Sequence, residues 1–172
     1  DSDYLIQNNV LNSVWGSNTP MLMNTHTRIP SEHQQHIYEL VIEDGFPKVH
    51  WFTVMYFRKC KETEDWFEVA KYVKENYDFY KKTFRIPYAY YRNDITASIA
   101  SHIVGGFRDD YIKPLPTRQI NSFNTEHILE VAKDKIIINT ETIPVLLKNT
   151  NVHCLNKHEI ERNYDKFMEI YS

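Results

Sequence analysis

The chain has 172 residues, 42% of them hydrophobic and 25% charged, with a formal net charge of −3. That length fits one ordinary domain or part of a larger one, and the composition excludes a disordered chain. The slightly acidic balance leaves no basic footprint for nucleic acid, and no apolar run approaches the roughly 18 residues of a membrane helix.

Twelve Tyr, nine Phe and three Trp against four Gly point to a core built from large rings. Cys60 and Cys154 are the only cysteines. Neither belongs to a CxxC pair, so two thiols in a reducing compartment are expected rather than a disulfide.

The chain opens on Asp1-Ser2-Asp3, without an initiator methionine. Val10 to Trp15 reads as a short helix and Pro20 to Thr27 as a strand. Ser31 to Ile42 reads as a helix capped by Ser31, with Glu32 in its first turn. Lys48 to Arg58, rich in β-branched and aromatic residues, is the most strand-like run. Thr63 to Thr83 repeats Trp66, Val69, Val73, Tyr77 and Tyr80 at helical spacing, with Thr63, Glu64 and Asp65 at its start. A helix from Asn93 or Asp94 carries Ile95, Ile99 and Ile103 on one face and ends at Gly105-Gly106. Its Ala and Ser residues would let it lie close to a sheet. Asn121 to Val131, Lys135 to Asn139 and Pro144 to Leu155 read as strands, and Ile160 to Tyr171 as a closing helix. The alternation predicts an α/β fold in a single unit, 1–172, with antiparallel pairing late in the chain.

Two stretches can carry chemistry. In an extended segment Asp1 and Asp3 point to one side, where two carboxylates and phosphate oxygens hold a hard divalent cation. The bland alternative is a solvated terminus. In "NTNVHCLNKHEI", His153 lies in an apolar strand with Lys157 beyond its end. An imidazole ligates a borderline cation and a lysine partners phosphate, although a lone His is more often structural.

An Asp-x-Asp before an apolar stretch, a long middle section and a late His followed by Lys resemble the GT-A-fold glycosyltransferases, most of all the glycogenin-like, family-eight type. Members carried by large bacteriophages are similar. The resemblance spans the whole chain, as the C-terminal portion of such an enzyme beginning at its motif. It implies a mixed sheet flanked by helices, lacking the N-terminal nucleotide-binding half. A missing upstream segment or partner chain would then cover a sheet edge or apolar face near Tyr4 to Ile6. It also implies a metal-dependent hexosyltransferase using Mn2+ or Mg2+, moving sugar from a nucleoside diphosphate sugar to an unknown acceptor hydroxyl with retention.

Carried over residue by residue, Asp1 and Asp3 would ligate the metal and, with Ser2, meet the donor's ribose and diphosphate. His153 would be the third ligand, Lys157 would contact the diphosphate, and Asp94 would be the catalytic residue beside the sugar or acceptor. The expected compartment is the cytoplasm, of the host for a phage protein. Four departures stand out. "HWFT" (His50 to Thr53) replaces an Asn-Ser-Gly stretch, and Ile95 replaces a Gln after Asp94. The His-to-Lys spacing is two shorter, and the Pro-Trp after the lysine is missing. The alternative is a non-catalytic descendant of the fold, a binding or virion-associated structural protein.

Other features have simpler readings. His33 and His36 share a helix face but no ligand cluster completes a zinc site. "YAYY" (Tyr88 to Tyr91) reads first as ordinary packing under Pro87, with a sugar-stacking platform as the alternative. Lys81, Lys82 and Arg85 read as a solvated helix end, and "FRDD" (Phe107 to Asp110) as a turn.

Overall fold

A computed structural model describes residues 4–7, 10–24, 27–28, 37–38, 46–108, 110–116, 119–122, 125–140 and 143–172. In chain order the first elements are β1 (Tyr4–Leu5), α1 (Val10–Val14), β2 (Met21–Asn24), β3 (Thr27–Arg28), β4 (Ile37–Tyr38) and β5 (Trp51–Phe57). Three helices follow: α2 (Lys61–Glu75), α3 (Tyr77–Thr83) and α4 (Asn93–Val104). The rest comprises β6 (Gln119–Ser122), β7 (His127–Ala132), β8 (Lys135–Asn139), β9 (Pro144–Lys148), β10 (Asn151–Cys154), α5 (Lys157–Arg162) and α6 (Tyr164–Tyr171). The chain is therefore mixed α/β with small sheets, and it divides into two compact units, each discontinuous in sequence.

The first unit takes in residues 1–13, 27–38 and 116–172. It holds a mixed five-stranded sheet in the order β1-β10-β6-β3-β4. β6 pairs in parallel with both β10 and β3, while β1 pairs antiparallel with β10. An antiparallel meander β7-β8-β9 completes its strands. β8 and β9 bury alternate residues, as half-buried strands do: Ile136 and Ile138, then Val145 and Leu147. These join Leu5, Ile120, Val152, Cys154 and Phe167 in one apolar core.

The second unit takes in residues 14–26 and 39–115. Its β2 and β5 pair antiparallel beside α2, α3 and α4. Seven successive residues of α4, Ile95 to Ser101, are buried, because Ala97, Ser98, Ala100 and Ser101 are small enough for neighbours to close in all round. The expected close approach to a strand is present, and α2 packs on the same helix, where Trp66 Nε1 donates to Ser101 Oγ at 3.0 Å.

α4 ends as its glycines predict. Gly106 has φ +64°, its N–H donates to Ile103 C=O, and Phe107 N–H donates to His102 C=O, the paired bonds of a Schellman motif. Gly105 is needed for another reason: a Cβ there would sit 2.6 Å from Tyr111 Cβ.

Several expected elements are divided. The long helix from Thr63 breaks at Asn76, and the closing helix breaks at Asn163. Both asparagines donate Nδ2 to the carbonyl four residues back, Tyr72 and Glu159, at 2.9 Å each. Local side-chain bonds of this kind compete with the helical ladder. The first of these helices also begins earlier than its apolar spacing indicates: Thr63 is its third residue, accepting from Cys60 N–H at 3.2 Å. The strand expected over Pro144 to Leu155 becomes β9 and β10 because Asn149 adopts a left-handed φ of 47°, a conformation asparagine tolerates. Asn121 to Val131 becomes the end of β6 and most of β7. Pro20 to Thr27 yields β2 and the start of β3, which belong to different sheets. The helix expected over Ser31 to Ile42 is corrected at Ile37–Tyr38, which form β4 against β3. Ser31, Glu32, His33 and His36 lie outside the described residues.

Candidate functional site

The five-stranded sheet has two different faces. Leu5, Val152 and Ile120 align across β1, β10 and β6 and point into the apolar core. Paired residues share a face, so Tyr4, His153 and Asn121, aligned one position along, lie on the opposite face. Asn151, two residues before His153, joins them there. This second face is polar yet buried: Asn121, Asn151 and His153 are all among the buried residues.

Hydrogen bonds order this face. Gln7 N–H donates to Asn151 Oδ1 at 3.1 Å, and Gln7 Nε2 donates to Ala132 C=O at 3.3 Å. The Tyr4 ring is tilted against the His153 ring, with centroids 6.4 Å apart. Burial pushes the Tyr4 phenol up to about 12, against a smaller opposing contribution from hydrogen bonding to Asn151.

Beyond β10 the chain passes Asn156 into α5, whose first residue is Lys157, an exposed side chain. Glu159, one turn in, is buried and fully engaged. Its Oε2 accepts from Ile128 N–H at 2.7 Å and from Arg162 at 2.7 Å, and its Oε1 lies 3.2 Å from His127 Nδ1. Arg162 also donates to Ile128 C=O at 3.0 Å. The Glu159 and Arg162 side chains thus satisfy both backbone groups of Ile128, beside the irregularity in β7 between Ile128 and Glu130. This clasp fixes the segment that carries His153 and Lys157.

His153 and Lys157 therefore come from consecutive elements of one unit. Asp1, Ser2 and Asp3 lie outside the described residues. Tyr4, which follows them in sequence, is the register partner of His153, and β1 ends the sheet among the described strands. No group of three His, Cys, Asp or Glu able to hold a metal occurs among the described residues. A complete ligand set would need Asp1 and Asp3.

Asp94 belongs to the second unit. Its Oδ1 accepts from Phe52 N–H at 2.8 Å, and its Oδ2 accepts from Arg92 at 3.0 Å. One turn along α4, Ser98 Oγ accepts from His50 N–H at 2.8 Å and donates to Asp94 C=O at 2.6 Å. The N–H groups of residues 50 and 52 point the same way from an extended chain, and side chains one helical turn apart match their spacing. Asp94 and Ser98 therefore dock α4 along β5. "HWFT" forms the start of that strand, with His50 and Trp51 buried and Phe52 packed near Trp66. Asp94 is the second residue of α4, whose N-cap residue is Arg92.

The sequence reading missed Asn121, Asn151 and Glu159. The alternation in "NVHC", where polar Asn151 and His153 alternate with apolar Val152 and Cys154, carried a signal for Asn151. Cys60 and Cys154 are both outside any disulfide, and no described helix is long and apolar enough to cross a membrane.

Fold and site thus define a mixed α/β protein with a buried polar sheet face next to a helix-borne lysine. No protein-family model matches the chain, and searches of curated proteins and of solved structures return no match.

Proposed function

We propose that this chain is part of a GT-A-like, metal-dependent glycosyltransferase that moves a sugar from a nucleoside diphosphate sugar to an acceptor hydroxyl. The observation that carries the reading is the register of β1 on β10. It pairs Tyr4, the residue that follows Asp1-Ser2-Asp3 in sequence, with His153. Two carboxylates and an imidazole suit manganese or magnesium, and His153 sits on a face already built from polar side chains. When bound, such a cation neutralises charge on the leaving diphosphate. Lys157, exposed on α5, would add a point charge at the same end of the strand. By the resemblance alone, Asp94 would act on the sugar or acceptor side.

A second reading, a non-catalytic relative of the fold serving as a binding or structural protein, is favoured by Asp94 itself. Both of its carboxylate oxygens are taken up by Phe52 and Arg92, a use that needs no substrate.

The deciding experiment is a thermal-shift titration with nucleoside diphosphates, with and without Mn2+. The transferase reading expects stabilisation that requires both metal and diphosphate and disappears in His153→Ala. Metal-independent binding, or a full response in that variant, would overturn it.

A further inference from the structure

We propose that the cleft between the α2–α3 junction and the Tyr88 to Tyr91 segment is a binding site for a neutral saccharide. The cleft encloses about 530 Å³, and its lining includes Lys74, Asn76, Asp78, Phe79, Lys81 and Tyr90. That volume falls in the range of ordinary small-ligand pockets.

Three observations point to the ligand class. First, aromatic surface is left uncovered: Phe79 is 64% exposed and Tyr90 66% exposed. Rings displayed together along a cleft offer flat apolar faces of the kind on which the C–H side of a pyranose rests. Second, the charges balance, since Lys74 and Lys81 are answered by Glu75 and Asp78 in the same lining. A phosphate or nucleotide site would carry an excess of positive charge. Carboxylates and an amide interspersed with rings instead match vicinal hydroxyls, which both donate and accept. Third, the Tyr91 side of the cleft is held before any ligand arrives. Lys81 Nζ donates to Ala89 C=O at 3.3 Å, the Tyr77 ring meets Tyr91 edge-on at 4.9 Å, and Lys74 Nζ lies 5.8 Å from the Tyr91 ring centre. Preorganised rings of this sort lose little entropy on binding.

The "YAYY" run thus divides between two tasks. Tyr88 packs against the core and carries Arg92 over its ring at 4.8 Å, whereas Tyr90 and Tyr91 line the cleft. The inference stands apart from the transferase reading, because every residue it uses belongs to the second unit and none is assigned to donor or metal.

The test is an NMR titration of the whole chain with maltohexaose, cellohexaose and chitohexaose, with UDP as the anionic control. At least one hexasaccharide is expected to shift the amides of residues 74–81 and 89–91. Tyr90→Ala and Phe79→Ala should each weaken that binding about tenfold while leaving the melting temperature unchanged. The proposal is overturned if none of the three saccharides binds, if binding survives both substitutions, or if UDP perturbs these amides more than the saccharides do. The manganese-dependent diphosphate response of His153→Ala is a separate readout, so either idea can fail alone.

Discussion

Tyr4 and His153 are direct partners across the antiparallel pair β1 and β10, although 149 positions separate them in sequence (153 − 4). Their rings tilt together on the polar face, beside Asn121 and Asn151. If His153 completes a metal site with the aspartates preceding Tyr4, His153→Ala should remove Mn2+-dependent stabilisation by UDP. Lys157→Ala should retain binding of the metal alone but weaken the diphosphate response about tenfold. Isothermal titration with Mn2+ and with Mn2+ plus UDP separates the two effects. Equal losses in both variants would show that Lys157 does not act on the diphosphate.

The Tyr4 phenol gives a pH signature. Its pKa is raised from 10.0 to about 12 in the folded chain, so between those values the folded state holds a proton that the unfolded state has lost. Stability from this residue is complete below about pH 10 and declines towards pH 12, by about 2–3 kcal/mol in all. Tyr4→Phe should therefore lose less stability than the wild-type chain over that alkaline window. Denaturant midpoints measured at several pH values check this, and parallel curves for the two proteins would refute it.

Asp94 offers a contrast between two substitutions. Asp94→Ala leaves Phe52 N–H without its side-chain acceptor and should cost about 1–3 kcal/mol of stability. Asp94→Asn keeps an acceptor oxygen and gives up only the charge on Arg92, so its melting temperature should fall less. A residue on the sugar side predicts in addition that Asp94→Asn lowers transfer while UDP affinity is unchanged. Loss of both in proportion to stability would assign Asp94 to docking α4 alone.

Glu159 holds Ile128 and Arg162 from a buried position. Glu159→Ala strips a charged acceptor from a backbone N–H and from a guanidinium, and should cost about 2–3 kcal/mol. Hydrogen exchange should then rise at the Ile128 amide before it rises in β8. Unchanged protection at Ile128 would exclude the clasp.

Gly105→Ala should destabilise the second unit by about 1–3 kcal/mol through overpacking. Gly105 has an ordinary φ of −71°, so alanine meets no backbone strain; the added Cβ collides with Tyr111 Cβ and with Ser101 C=O. Gly106→Ala tests the complementary case, an open site with φ +64°, where the cost is conformational. Chemical denaturation of both variants separates crowding from strain.

By itself the sequence determined elements whose pattern is local. α4 was legible from Ile95, Ile99 and Ile103 and from the glycine pair that ends it, and β8 from its run of three β-branched isoleucines. Periodicity sufficed there because each residue's place depends on neighbours within a turn or two. It failed at Asn76, Asn149 and Asn163, where one side chain or one left-handed φ divided an otherwise continuous pattern. Only the tertiary structure decided that Tyr4 faces His153, that Asn121 and Asn151 share their face, and that Asp94 answers the backbone of Phe52. Strand register is settled by which faces can be buried and by hydrogen bonds between segments far apart in sequence, and no local spacing encodes that choice.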